Sequence, residues 1–109
     1  MESTDHRTQT RQPIAMFVNQ SFGDDDERLG MAIDLSEQGI CLRTLRCAAR
    51  PGRYAWLKFW LPGSDTLIHA LGEVMYRGSD GEMERYGLRF KLLFPDQRAM
   101  INQHLAVCA

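Results

Sequence analysis

Lysine is scarce in this 109-residue chain, two residues against eleven arginines. Where cations are needed, the chain uses a planar fork that takes carboxylate, phosphate or a purine edge bidentately, rather than a point charge. Long apolar runs are missing too. No stretch approaches the roughly 18 residues of a membrane span, and the polar segment 1–12 lacks the apolar core of a signal peptide, so no membrane insertion and a cytoplasmic location are expected. Cys41, Cys47 and Cys108 are odd in number and lack Cys-x-x-Cys spacing, which excludes a disulfide framework and fits a reducing compartment. His6, His69 and His104 share no ligand spacing with them, so no metal is expected. A nucleophile elbow, a phosphate-cradling glycine loop and a paired acid site are all absent, so no catalytic residue, cofactor or enzymatic activity is expected. With a net charge of −1 the chain also lacks the basic excess of a nucleic-acid polymer binder. Any anion site must be local.

The sequence is that of one domain, with neither linker nor internal repeat. Residues 1–12 read as a flexible arm and 13–109 as the folded unit. Pro13 suits the first position of a strand. Alternating apolar residues mark strands over 14–22, 29–36, 40–45, 54–61, 67–77 and 86–93, separated by Pro-Gly, Pro-Gly-Ser-Asp and Gly-Ser-Asp-Gly turn chemistry. In the second strand, Met31, Ile33 and Leu35 are expected inside and Ala32, Asp34 and Ser36 outside. After Pro95, a helix with Gln97, Met100, Ile101, His104, Leu105 and Cys108 on one face is expected. The fold class is therefore all-β, a six-stranded antiparallel barrel with a C-terminal helix.

Two motifs carry chemistry. Arg7-x-x-x-Arg11 places two guanidiniums on one side of the arm, because positions i and i+4 share a face in helix and strand alike. Taken alone it is a weak signal, since the same spacing recurs at Arg46/Arg50 and Arg85/Arg89. Asp34-Leu35-Ser36-Glu37-Gln38-Gly39 occurs once. An outward Asp34 carboxylate can accept from N1–H and N2–H₂ of a guanine. The Ser36 hydroxyl suits phosphate or base, and Gly39 permits positive φ or a close backbone approach. Asp and Ser at a strand end can also simply cap a turn.

Arginine pair, Pro-started strand, acidic loop, Asp-x-Ser-x-x-Gly and the later Tyr86-Gly87-Leu88-Arg89-Phe90 together resemble the PilZ domain family, over about Arg7 to Phe94. The resemblance implies a PilZ-like split barrel whose ligand is cyclic di-GMP, held by Arg7, Arg11, Asp34, Ser36 and Gly39. It also implies that His6, where many members carry a second basic residue, bears on whether one ligand or a stacked pair is bound. Arg85, whose Arg-x-x-x-Arg spacing lacks an Asp-x-Ser-x-x-Gly companion, is expected to play no part in binding.

Leu57, Phe59 and Leu61 alternate with Tyr54, Trp56, Lys58 and Trp60, so an aromatic set points outward. It is expected either to lie partly under the helix or to form a partner surface. The acidic run Asp24 to Glu27 lacks the spacing of a calcium loop and reads as a hairpin tip, and the Arg43–Arg53 stretch reads as a solvated loop. The expected function is a receptor and adaptor, monomeric or weakly dimeric, that signals in trans to a separate protein effector in control of motility, biofilm or exopolysaccharide. The alternatives are a PilZ-fold interaction module that works without cyclic di-GMP and, more remotely, a small barrel that binds single-stranded nucleic acid.

Overall fold

The computed structural model describes residues 12–22, 27–45 and 52–108. Six strands, β1 (Gln12–Ser21), β2 (Glu27–Leu35), β3 (Gly39–Leu45), β4 (Tyr54–Trp60), β5 (Leu67–Asp80) and β6 (Met83–Leu93), precede one helix, α1 (Pro95–Cys108). They close a barrel in the order β1-β2-β3-β6-β5-β4, with every neighbouring pair antiparallel. Among the described residues, closure leaves no edge strand to recruit another chain. In this order β3 and β4 stand on opposite walls.

The turns follow their residues. Pro62 and Gly63 take the second and third places of a four-residue turn, with φ +81° at Gly63 and Ser64 N–H donating to Leu61 O at 3.0 Å. A type II turn requires that positive φ. Gly81, φ +67°, opens the two-residue link between β5 and β6. The hairpin therefore runs further than the turn residues suggest. Gly78, Ser79 and Asp80 pair with Arg85, Glu84 and Met83 instead of forming a loop.

The barrel is filled by Met16, Val18, Leu35, Leu42, Leu57, Phe59, Ile68, Leu88 and Phe90, among others. Each large apolar side chain contributes about 1.5–3 kcal/mol of burial. Helix α1 adds Ile101 and Leu105 to this core. Pro95 fits the first helical position, where its missing N–H costs nothing. Gln97 pins the helix to β5, its Oε1 accepting from His69 N–H at 3.0 Å and its Nε2 donating to Leu67 O at 3.2 Å.

The expected facing of β2 is half inverted. Met31 is 44 % exposed, while Ala32 is buried. Between the pairs Ala32–Leu42 and Asp34–Cys41, β2 advances two residues and β3 one, so Ile33 is the extra residue of a bulge. Strand facing repeats every two residues, so one insertion reverses it. Gly30 and Ala32 face inward before the bulge and Leu35 after it. A Cβ at Gly30 would meet Gln20 Nε2 and Thr44 Cγ2 at 2.8 Å, which is why nothing larger stands there.

Candidate functional site

The segment Ser36–Gly39 is a turn built around one hydroxyl. Ser36 Oγ accepts from the N–H groups of Gln38 (3.3 Å) and Gly39 (3.2 Å), and Ser36 N–H donates to Gly39 O at 2.9 Å. Two longer elements hold the turn in place. Phe90 N–H on β6 donates to Gln38 O, and the Arg98 guanidinium on α1 donates to Glu37 O, both at 2.8 Å. Ser36, expected outside, is only 2 % exposed, and its hydroxyl is engaged by backbone. Its burial follows from the chain folding back over it into β3.

Gly39 serves close approach rather than unusual backbone. Its φ lies outside the left-handed region, but an added Cβ would run into the carbonyl oxygen of Leu88 on β6. Glycine lets β3 start flush against β6.

Strand register sets the wall beside this turn. Asp34 pairs with Cys41, Cys41 with Gly87, and Gly87 with Tyr76, in one row across β2, β3, β6 and β5. Ile40 and Leu42 lie in the core, so Cys41 between them points outward, and Asp34, just before the buried Leu35, does the same. Tyr76 covers Cys41. Its hydroxyl lies 3.5 Å from Sγ, and its ring occupies the space where a Gly87 side chain would stand. A second bulge, with Met75 as the extra residue between the pairs Val74–Leu88 and Tyr76–Gly87, turns Tyr76 outward.

Next to that row, Gly39 pairs with Arg89 and Arg89 with Glu73. Glu73 is buried beneath three cations. Arg89 donates to Oε1 at 2.9 Å, Arg53 donates to Oε2 through Nε (3.3 Å) and Nη2 (3.2 Å), and Lys91 Nζ stands 3.8 Å away. The Arg89 hydrogen bond does most to hold the Glu73 carboxyl below its ordinary value. Desolvation opposes this, and Arg53 and the Lys91 charge add to it. Ser36, Gln38, Gly39, Tyr76, Gly87 and Arg89 line a cleft of about 280 Å³. Arg89, not singled out from the sequence, thus lines the cleft beside the motif turn. Arg85, on the same outward face of β6, pairs with Arg43.

Of the residues singled out from sequence, Asp34, Ser36 and Gly39 come together here, while His6, Arg7 and Arg11 lie outside the described residues, as do the 23–26 loop and Arg46 and Arg50. Cys41, Tyr76, Gly87 and Arg89 were not singled out as site residues. Tyr86-Gly87-Leu88-Arg89-Phe90 held the only available signal, a glycine between outward arginines. Tyr54, Trp56 and Trp60 lie on the opposite wall, with Trp60 55 % exposed, so α1 leaves them open. Trp56 packs against His69 with ring centroids 5.0 Å apart. Among the described residues no group of His, Cys, Asp and Glu is placed to hold a metal ion, and no helix is long and apolar enough to cross a membrane.

The chain is a small closed β-barrel with a C-terminal helix packed into its core. More narrowly, the chain belongs to the PilZ domain family, whose model matches residues 5–106. PilZ domains are binding and adaptor modules. No curated protein matches the chain in sequence. Among solved structures, the inhibitor of motility MotI (DgrA) of Bacillus subtilis is similar, with a TM-score of 0.81 and 14% identity over 99% of this chain and 52% of that one. The present chain thus spans about half the length of MotI. The PilZ domain of YcgR from Escherichia coli, solved with cyclic di-GMP, has a TM-score of 0.71 and 14% identity, covering 94% of this chain and 91% of that domain. The PilZ domain of CeSA from a cellulose-synthesizing bacterium has a TM-score of 0.65 and 15% identity, covering 91% and 97%. At these identities the likeness is one of fold.

Proposed function

We propose that the chain is a cytoplasmic receptor for cyclic di-GMP that relays the state of its site to a separate protein in control of motility, biofilm formation or exopolysaccharide production. The observation that carries this reading is the gathering of Asp34, the Ser36–Gly39 turn and Arg89 on one outer wall of a PilZ barrel. In this reading Asp34 accepts from the guanine edge. Arg7 and Arg11, on the arm 1–12, fork onto guanine O6/N7 and phosphate. Ser36 acts mainly by fixing the turn, Gly39 by keeping β3 low beside the ligand, and His6 by influencing stoichiometry. The likeness to a YcgR domain solved with cyclic di-GMP and to an inhibitor of motility supports the ligand and the output.

Output is assigned to the exposed Tyr54, Trp56 and Trp60 of β4, amphipathic side chains of the kind that anchor protein interfaces. A calorimetric titration with cyclic di-GMP tests the reading. Saturable binding at micromolar affinity or tighter is expected, and no binding overturns it. The same exposed aromatics favour a second reading, an interaction module indifferent to the nucleotide. In that case partner capture is equal with and without cyclic di-GMP.

A further inference from the structure

Tyr76 stands on the polar wall as an aromatic side chain that the motif residues do not include. Its ring lies over the bare Cα of Gly87, where any Cβ would collide with Cδ2, Cε2 and Cζ. Its hydroxyl donates toward Cys41 Sγ at 3.5 Å, which limits ring rotation and tilt. Backed on one side by Gly87, the residue is still 49 % exposed, so solvent reaches the remainder of the ring. Arg85 and Arg89 flank Gly87 on the same face of β6, so cations stand on both sides of the aromatic surface along the strand. The Ser36–Gly39 turn borders the same cleft. Asp34 lies in the same row of paired residues, two strand spacings or about 10 Å from Gly87.

A pinned, half-exposed aromatic ring between arginines, within reach of a carboxylate, fits a purine base lying face-on with phosphates alongside. We infer that one guanine of the bound cyclic dinucleotide stacks on Tyr76, with Arg89 beside it. This rests on the reading of the cleft as the cyclic di-GMP site. Every base has a π-face, so Tyr76 supplies affinity with little base selectivity, while Asp34 reads the guanine edge.

The test is calorimetry of wild type, Tyr76→Leu and Tyr76→Phe with cyclic di-GMP, alongside proton spectra of the bound ligand and a melting curve for each protein. Removing the ring in Tyr76→Leu is expected to weaken binding roughly 5- to 150-fold, the range for one base–aromatic stack. It is also expected to abolish the upfield shift of one guanine H8 line. Tyr76→Phe, which restores the ring without the hydroxyl, recovers most of the affinity and the shift. Equal affinity and an unchanged H8 shift in Tyr76→Leu overturn the stacking role while leaving the receptor reading intact. Loss of affinity with the wild-type H8 shift retained at saturation also overturns it, because packing alone would explain the loss. A wild type that takes no cyclic di-GMP overturns both.

Discussion

The walls around β3 and β4 are built from the same barrel and differ in almost every outward residue. Around β3 the outer face presents Asp34, Arg43, Arg85 and Arg89 beside exposed Met31 and Leu45, with glycines at positions 39 and 87 that let backbone or a ring come close. Around β4 it presents Tyr54, Trp56 and Trp60, continued by exposed Phe17 on the neighbouring β1 and Leu29 on β2 beyond it, with a Lys58–Glu27 pair at 3.2 Å reaching from β4 to β2. The interior behind both is mostly apolar, with the Gln20 amide and Thr44 buried in it. The core therefore specifies the barrel, and the two walls are free to carry different chemistry. In the proposed reading, the arginine-bearing polar wall takes the nucleotide and the aromatic wall takes a protein.

Substitutions can break that division of labour. The largest effect is expected from Gly39→Val, which forces a branched side chain into the Leu88 carbonyl. Overpacking of this kind costs about 1–3 kcal/mol and sometimes more, to be read as a lower urea midpoint together with loss of ligand binding. Next come Asp34→Ala, Arg7→Ala and Arg11→Ala. Each should weaken cyclic di-GMP by about 1–3 kcal/mol, roughly 5- to 150-fold, in calorimetry. Unchanged affinity in both arginine variants would remove the arm from the site. On the other wall, Trp60→Ala should shift stability by no more than about 0.5 kcal/mol, because its side chain is mostly exposed, and Trp56→Ala by somewhat more through its packing on His69. Both should spare ligand binding and weaken partner capture in a ligand-dependent pull-down. A marked drop in melting temperature would show the β4 wall to be structural instead.

The smallest effect concerns pH. Glu73 has a native pKa below its ordinary 4.5, so the stability it adds is fully present above 4.5 and is lost as pH falls through the lowered native value. Glu73→Gln should therefore flatten the acid limb of a melting-temperature profile and leave the relative pH dependence above 6 unchanged.

Much of this was legible in the sequence. Alternation located all six strands, and the Leu57/Phe59/Leu61 phase of β4 correctly set its aromatics outside. Two features escaped it for one reason. Ile33 and Met75 are each the extra residue of a bulge, and a bulge leaves no mark on hydrophobic alternation. Continued alternation after Ile68, Ala70, Gly72 and Val74 would have put Tyr76 inside the barrel. The bulge puts it on the polar wall. Ser36 was misplaced for a different reason. Its hydroxyl closes a turn whose backbone partners are set by tertiary position, and residue type alone does not say whether such a group faces solvent or its own backbone.

The bond from Arg98 to Glu37 O gives the C-terminal helix a stake in the turn at the far end of its own packing surface. Local opening in proteins proceeds by contiguous units, each with its own free energy. A fluctuation that lifts α1 from the barrel removes the partner of Glu37, and the restraint on the Gln38, Gly39 and Phe90 amides loosens with it. Deuterium uptake at those three amides, two in the turn and one on β6, thus reports helix undocking.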